Sequence, residues 1–220
     1  MNVGNIADLE DALDKEWSWR KQEMMFIKLS VQGNPIMLRA GIALLCAHFE
    51  GFLKNGSMLY IKYVSKQKIL YTNLIESFSV FALKGKFKEC HDSEKVSVYS
   101  KLLKKHLNLL NKTFKVKNDE INQFIKTHSN PSTKIIKEIL LTLGIETDIF
   151  DTKAKYIDCG LLANRHRVVH GERIQIDWEE FVETFDIIIL LIEEYKRVLI
   201  TAAEQKSYLK ECNCNHASDH

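Results

Sequence analysis

An all-α fold is what this sequence predicts, on three observations. Proline and glycine are scarce, 2 and 9 in 220 residues, so little interrupts regular structure. Apolar residues recur at three-to-four spacing over long stretches, the period of one helix face. The few breaks carry helix-start and helix-stop residues in the right order. A composition of 45% hydrophobic and 27% charged residues suits one folded domain and excludes a disordered chain.

Residues 6–30 form the first expected helix, with Ile6, Leu9, Leu13, Trp17 and Met24 along one face. "QGNP" at 32–35 breaks it, and Asn34 followed by Pro35 starts the next, because proline at the first helical position lacks only an N–H that has no partner there. That second helix should run over about 35–65. Its middle, "IALLCAHFEGFLKN", is apolar nearly all round and belongs at the centre of a bundle. His48 and Glu50 stand out in it, since a buried charge must be paired.

Residues 66–150 read as an insertion of short helices near 69–83, 92–110, 117–127 and 132–143, with a loop at "THSNPST" and a helix start at Ser132 or Thr133. A helix over 152–170 then stops at Gly171, a natural left-handed cap. Asp177 caps a long last helix, about 178–210, with Phe181, Phe185, Ile188, Ile189, Ile192 and Tyr195 as its core stripe. The tail 211–220 should fray. Three long helices and one medium helix with antiparallel connections make a four-helix up-down bundle carrying a helical insertion, within one domain over 1–210.

The net charge is only +2, but it is segregated: Ser100 to Lys117 holds six lysines and no acid, while Glu172 to Glu194 holds eight acids and one arginine. The basic segment, with Lys101, Lys104 and Lys105, suits phosphates. Five cysteines without framework spacing point to a reducing compartment. The longest apolar run, 187–192, is far below the ~20 residues of a membrane span, so a cytoplasmic protein without a membrane segment is expected.

The chemistry gathers in "ANRHRVVHGE", 163–172, where Arg165, His166, Arg167 and His170 precede Gly171. One reading is a helix end decorated with cations that meet the negative end of its dipole. Zinc is a second, through His166 and His170 with Cys159, or through Cys212, Cys214, His216 and His220 in the tail; neither set matches a ligand spacing, and no metal is expected. A third is RNA binding without cleavage through Arg165, Arg167 and the lysines. The fourth is phosphodiester chemistry, with histidine moving protons near neutrality and arginine forking onto a phosphate. Arg165 and His170 lie about 140° apart on an ideal helix, and one histidine cannot easily serve both sides of a phosphorus. A two-fold dimer that joins two clusters would supply both proton-transfer groups.

Arg165, four residues, His170 and Gly171 together resemble the R-x4–6-H motif of the HEPN superfamily (higher eukaryotes and prokaryotes nucleotide-binding). "LLCAHFEGFLKNGSMLYIKYV", 44–64, resembles the AH-aromatic-EGF-K helix of its defence-associated prokaryotic branch, and "EWSWRKQEMMFIKLS" and the long last helix fit that branch. The resemblance implies a dimeric HEPN bundle with a metal- and cofactor-independent endoribonuclease site, Arg165 and His170 being the motif's arginine and histidine. It also implies RNA as a partner, and a toxin or anti-phage role beside a neutralising antitoxin or defence partner. Some members are inactive RNA-binding or assembly modules. The usual asparagine after the arginine is His166 here, with Asn164 ahead of the arginine instead; His166, Asn164, Glu50 and His48 are therefore auxiliary candidates.

Overall fold

A computed structural model describes residues 3–116, 125–127, 131–146 and 148–210. Among them the chain is helical, with no strand beyond isolated bridges. We name the helices α1 (Ile6–Val31), α2 (Pro35–Lys66), α3 (Glu76–His91), α4 (Val96–Leu110), α5 (Thr133–Thr142), α6 (Leu162–Val169) and α7 (Trp178–Glu204). A 3-10 turn spans Tyr71–Asn73 and a π-helical turn spans Tyr156–Leu161. The helix expected over 117–127 lies mostly outside the described residues, and 125–127 are not helical.

Local chemistry starts the helices where sequence places them. The Asn34 side chain accepts from the N–H groups of Ile36 and Met37, with Pro35 at the first position. Ser132 accepts from Ile135 and Asp177 from Glu180. Asn5 caps α1 in the same way, accepting from Asp8.

α2 is the core helix. Ile42, Leu45, Phe49, Phe52, Leu53, Tyr60 and Ile61 are fully buried on it, between α1, α6 and α7. Its length and apolarity are those of a membrane-crossing helix, and half of that apolar window is buried inside the fold. A Cβ at Gly41 would lie 2.7 Å from the Phe181 ring and 3.1 Å from Val31. So α1 ends, α2 begins and α7 begins at one place, with no room for a side chain. At the other end, a Cβ on Gly56 would meet Leu199 and Leu13. These pairings make α1 antiparallel to α2, and α7 parallel to it.

The last helix stops at Glu204, six residues before its expected end. The N–H of Lys206 bonds to the Ala203 carbonyl and that of Ser207 to the Ala202 carbonyl, with Lys206 left-handed at φ 56°. The chain then turns so that Leu209 bridges to Leu74. A lysine in this role carries no sequence signal, because glycine is the usual occupant.

The insertion is attached at that same far end. Leu70 bridges to Thr113, and Phe114 packs edge-on against Tyr71 and Phe78 with centroids 5.5 and 5.0 Å apart. From this anchor α3 and α4 form a hairpin whose main packing partners are each other. α5 is tied to the π-helical turn, where Asp158 accepts from the Thr133 N–H at 2.9 Å.

Candidate active site

The motif helix is not a uniform α-helix. A π turn holds an extra residue, and that turns everything after it by about 100° relative to a regular helix. Leu161, its last residue, is buried, and its carbonyl lies 3.8 Å from the Cys46 sulfur. α6 follows directly and delivers Arg165, His166 and Arg167.

α6 ends as a Schellman motif. The N–H of Gly171 bonds to the Val168 carbonyl and that of Glu172 to the Arg167 carbonyl, with Gly171 at φ 76°. His170 is the cap residue and leaves helical geometry at φ −82°, ψ 6°. Its ring meets that of His166, centroids 4.2 Å apart and planes tilted by 52°. Both histidines are exposed. The expected angular gap concerned Arg165 and His170; the residue placed beside His170 is His166.

Arg165 is half-buried, and its charge is felt at Cys46 on α2. Burial pushes the Cys46 thiol up to about 12, the Arg165 charge opposes that rise and the Glu50 charge adds to it. Both charges are felt at one thiol. Glu50 also accepts from the Thr127 hydroxyl at 2.5 Å. Thus Glu50 ties an insertion segment to the core helix.

Five other sequence candidates point elsewhere. Asn164 donates to Glu180 at 2.8 Å and joins α6 to α7, away from the histidines. Arg167 donates through Nε to Glu172 at 2.9 Å, clasping the turn that its own carbonyl helps close. Lys101, Lys104 and Lys105 are exposed on α4, in the hairpin anchored beyond the end of α2. From Cys46 to Lys66 that helix rises about 30 Å, at about 1.5 Å per residue. Among the described residues no His, Cys, Asp or Glu group is arranged to hold a metal, and the tail cysteines and histidines lie outside them.

His48 belongs to a separate cluster that sequence reasoning missed. Arg20 is buried and gives Nε and Nη2 to Glu16 at 2.9 and 2.6 Å, while Nη1 donates to the His48 carbonyl at 3.3 Å. Asn55 donates to the same Glu16 oxygen at 2.7 Å. The guanidinium lies 4.3 Å from the Trp19 ring centroid. A Cβ on Gly51 would sit 2.5 Å from Nη1. So "AHFEGF" on α2 and "EWSWR" on α1 interlock: the glycine makes room for the arginine. The signal was present in the pair of segments, but no spacing within either one reveals it.

The His48 ring itself packs edge-on against Trp19 and approaches Glu23 at 3.4 Å. Burial holds its pKa below the ordinary imidazole value, Arg20 lowers it further and Glu23 opposes. A folded pKa below the unfolded value, about 6.5, means that protonation favours the unfolded chain. Stability is then fully present above about pH 6.5 and falls as pH drops through that value toward the lower folded pKa. Urea midpoints should decline over this window, and His48→Gln should flatten the decline relative to wild type. Equal slopes for the two proteins would remove His48 as the cause.

Comparison with protein families places the geometry in context. The model of the RiboL-PSP-HEPN family matches residues 15–201, which includes α1 from Lys15, all of α2 and α6, and most of α7. The chain belongs to the RiboL-PSP-HEPN family. This HEPN domain therefore has the all-α fold of its superfamily, and a nuclease or RNA-binding role is what that family suggests. The search of curated proteins and that of solved structures each found no match. The matched span also encloses α3 and α4.

Proposed function

We propose that this HEPN domain is an endoribonuclease that needs no metal and acts as a homodimer. The observation that carries the reading is the exposed His166–His170 pair, rings 4.2 Å apart, at a helix end beside Arg165. In the reaction an imidazole takes the proton of a ribose 2′-OH, and O2′ attacks the adjacent phosphorus. The P–O5′ bond breaks, and an imidazolium returns a proton to the leaving O5′. Products are a 2′,3′-cyclic phosphate and a 5′-OH. Arg165 serves the phosphate, because a guanidinium stays charged and offers paired donors to the oxygens that gain charge.

The pair explains why a second copy is needed. Base and acid must bracket the phosphorus, each at hydrogen-bond distance, so their nitrogens stand on the order of 6 Å or more apart. Two rings packed against each other are poorly placed to do that for one phosphate. His170 acts from one side, with His166 packed against it, and the opposing imidazole comes from the partner. An apolar surface beside the motif supports this assembly. Ile36, Ala40, Leu44 and Ala47 form an exposed stripe on α2 at spacings of four, four and three. On the helical wheel the stripe lies between His48, which faces α1, and Arg39 and Cys46, which face α6 and its loop. Phe26 and Leu29 on α1 and Val169 on α6 are exposed as well, at 74%, 74% and 61%. An apolar patch of this kind marks an interaction site. A toxin or anti-phage role, with a neutralising partner, is the biological setting that fits the resemblance of the α2 motif.

The test is purified protein with total RNA in EDTA. Cleavage should persist and leave 2′,3′-cyclic or 3′-phosphate ends. Loss of activity in EDTA with recovery in Mg²⁺, or products ending in 3′-OH, would refute the reading.

A further inference from the structure

The α3–α4 hairpin carries a cationic face that neither the motif nor the core uses. Lys104 and Lys105 stand three and four residues after Lys101, so the three share one side of α4, and all are exposed. Lys112 and Lys115, where the hairpin rejoins the core, are exposed as well. None of these five has a carboxylate partner among the described residues, whereas Lys86 on α3 is held by Glu89 at 2.6 Å.

The exposed apolar positions of α4 lie on a different face. Val96, Tyr99, Leu103 and Leu107 are centred roughly 150–170° round the helix from Lys101 and Lys105, and about 95° from Lys104. The lysine face therefore has charge without an apolar centre. Protein interfaces are built the other way, with lysine depleted and apolar or aromatic side chains in the middle, while nucleic-acid surfaces are polar and cationic.

Two contacts fix where the chain comes back to α2. The Val116 N–H donates to Ser65 Oγ at 3.2 Å, and the Thr127 hydroxyl donates to Glu50 at 2.5 Å, about 22 Å nearer the motif end at about 1.5 Å per residue. Lys126, beside Thr127, is exposed. Its charge is felt at Lys84 on α3, whose amine is held below the ordinary lysine value by partial burial and then by Lys126. Lys126 thus belongs to the Glu50 contact and Lys84 to the hairpin, and an anion beside them would offset their repulsion.

We propose that the lysine face of α4 is a second RNA-binding surface, with Lys84 and Lys126 between it and the motif, and that the domain selects RNA long enough to reach both. The length of α2 sets the span, about 30 Å from Cys46 to Lys66. That is roughly nine nucleotides of a stacked strand at ~3.4 Å each, and fewer of an extended one. The ligand is the RNA of the reading above, but this surface binds it whether or not the histidines cleave it.

Binding in EDTA separates the two. Labelled RNAs of about 6 and about 25 nucleotides, shorter and longer than the span, are titrated with wild type, K101A/K104A/K105A and K84A/K126A. Alanine preserves the helices, and circular dichroism confirms folding. Wild type should prefer the long RNA. The triple variant should lower the long-to-short affinity ratio roughly tenfold or more at low salt, and should flatten the salt dependence of long-RNA binding by ~0.7 log-log units per lost contact, about two for three lysines. K84A/K126A should act in the same direction. An unchanged ratio and slope in the triple variant would overturn the proposal, as would an equal loss on both RNAs. Polyglutamate that displaces the long RNA as well as unlabelled RNA does, at equal charge, would assign the face to an acidic polypeptide and overturn it too. Length-dependent binding by a protein that cleaves nothing would support this surface and sink the ribonuclease reading alone.

Discussion

His170→Ala is expected to slow RNA cleavage by ~10²–10⁴-fold while leaving RNA affinity nearly intact. The lower figure is the loss of one proton-transfer group; a dimer that uses both copies of His170 moves toward the higher. Affinity should hold because a neutral imidazole adds little to phosphate binding, and because Gly171, not His170, makes the left-handed turn that ends α6. Arg165→Ala should lower rate and affinity together, since one guanidinium meets both the ground-state phosphate and its charged transition state. His166→Ala is the informative comparison. It removes the ring against which His170 rests, 4.2 Å away, but leaves the His170 nitrogens in place. Its loss should fall below the ~10²-fold floor expected for a proton-transfer group. A variant as inactive as His170→Ala, and still dimeric, would make His166 a proton-transfer residue in its own right. Wild-type cleavage by all three variants would reduce the cluster to a decorated helix end.

Arg20→Ala is expected to destabilise the fold by about 3–5 kcal/mol, the scale for removing one partner of a buried pair. Side-chain exposure is 7% for Arg20 and 18% for Glu16. Without the guanidinium, the half-buried Glu16 carboxylate keeps only the Asn55 amide and a long contact from the Trp19 indole N–H at 3.4 Å, and the space under Trp19 is left unfilled. Gly51→Ala attacks the same packing from the other helix, because its methyl would overlap Nη1. Overpacking of this kind costs about 1–3 kcal/mol, so Arg20→Ala should be the more severe. Denaturant unfolding of the two variants measures both. A loss under about 1 kcal/mol for Arg20→Ala, the range of exposed pairs, would show the cluster to be effectively solvated.

Much of the fold was legible because helices announce themselves locally. Asn34–Pro35, Ser132, Asp177 and Gly171 each act on backbone groups within a few residues, so a linear reading finds them. The apolar face of α1, with Leu9, Leu13, Trp17 and Met24 buried, follows from spacing alone. Where the reading overshot, as at the end of α7, the helix stops on Lys206 in a conformation that lysine does not advertise.

The site was legible in part, and the part is instructive. Sequence determined by itself that the chain is all-helical, that its centre is the 35–65 helix, that positive and negative charge lie in separate segments, and that Arg165 and His170 stand ahead of a helix-ending glycine. These are properties of composition, period and neighbouring residues. Only the tertiary structure decided that a π turn rotates α6, that the His166 and His170 rings meet with centroids 4.2 Å apart, and that the Arg165 charge is felt at the buried Cys46 thiol. It alone assigned His48 and Gly51 to the packing of Arg20, 28 positions from His48. The reason is physical: a helix propagates its own geometry, but which of its faces is inside is settled by close packing against segments far away in the chain.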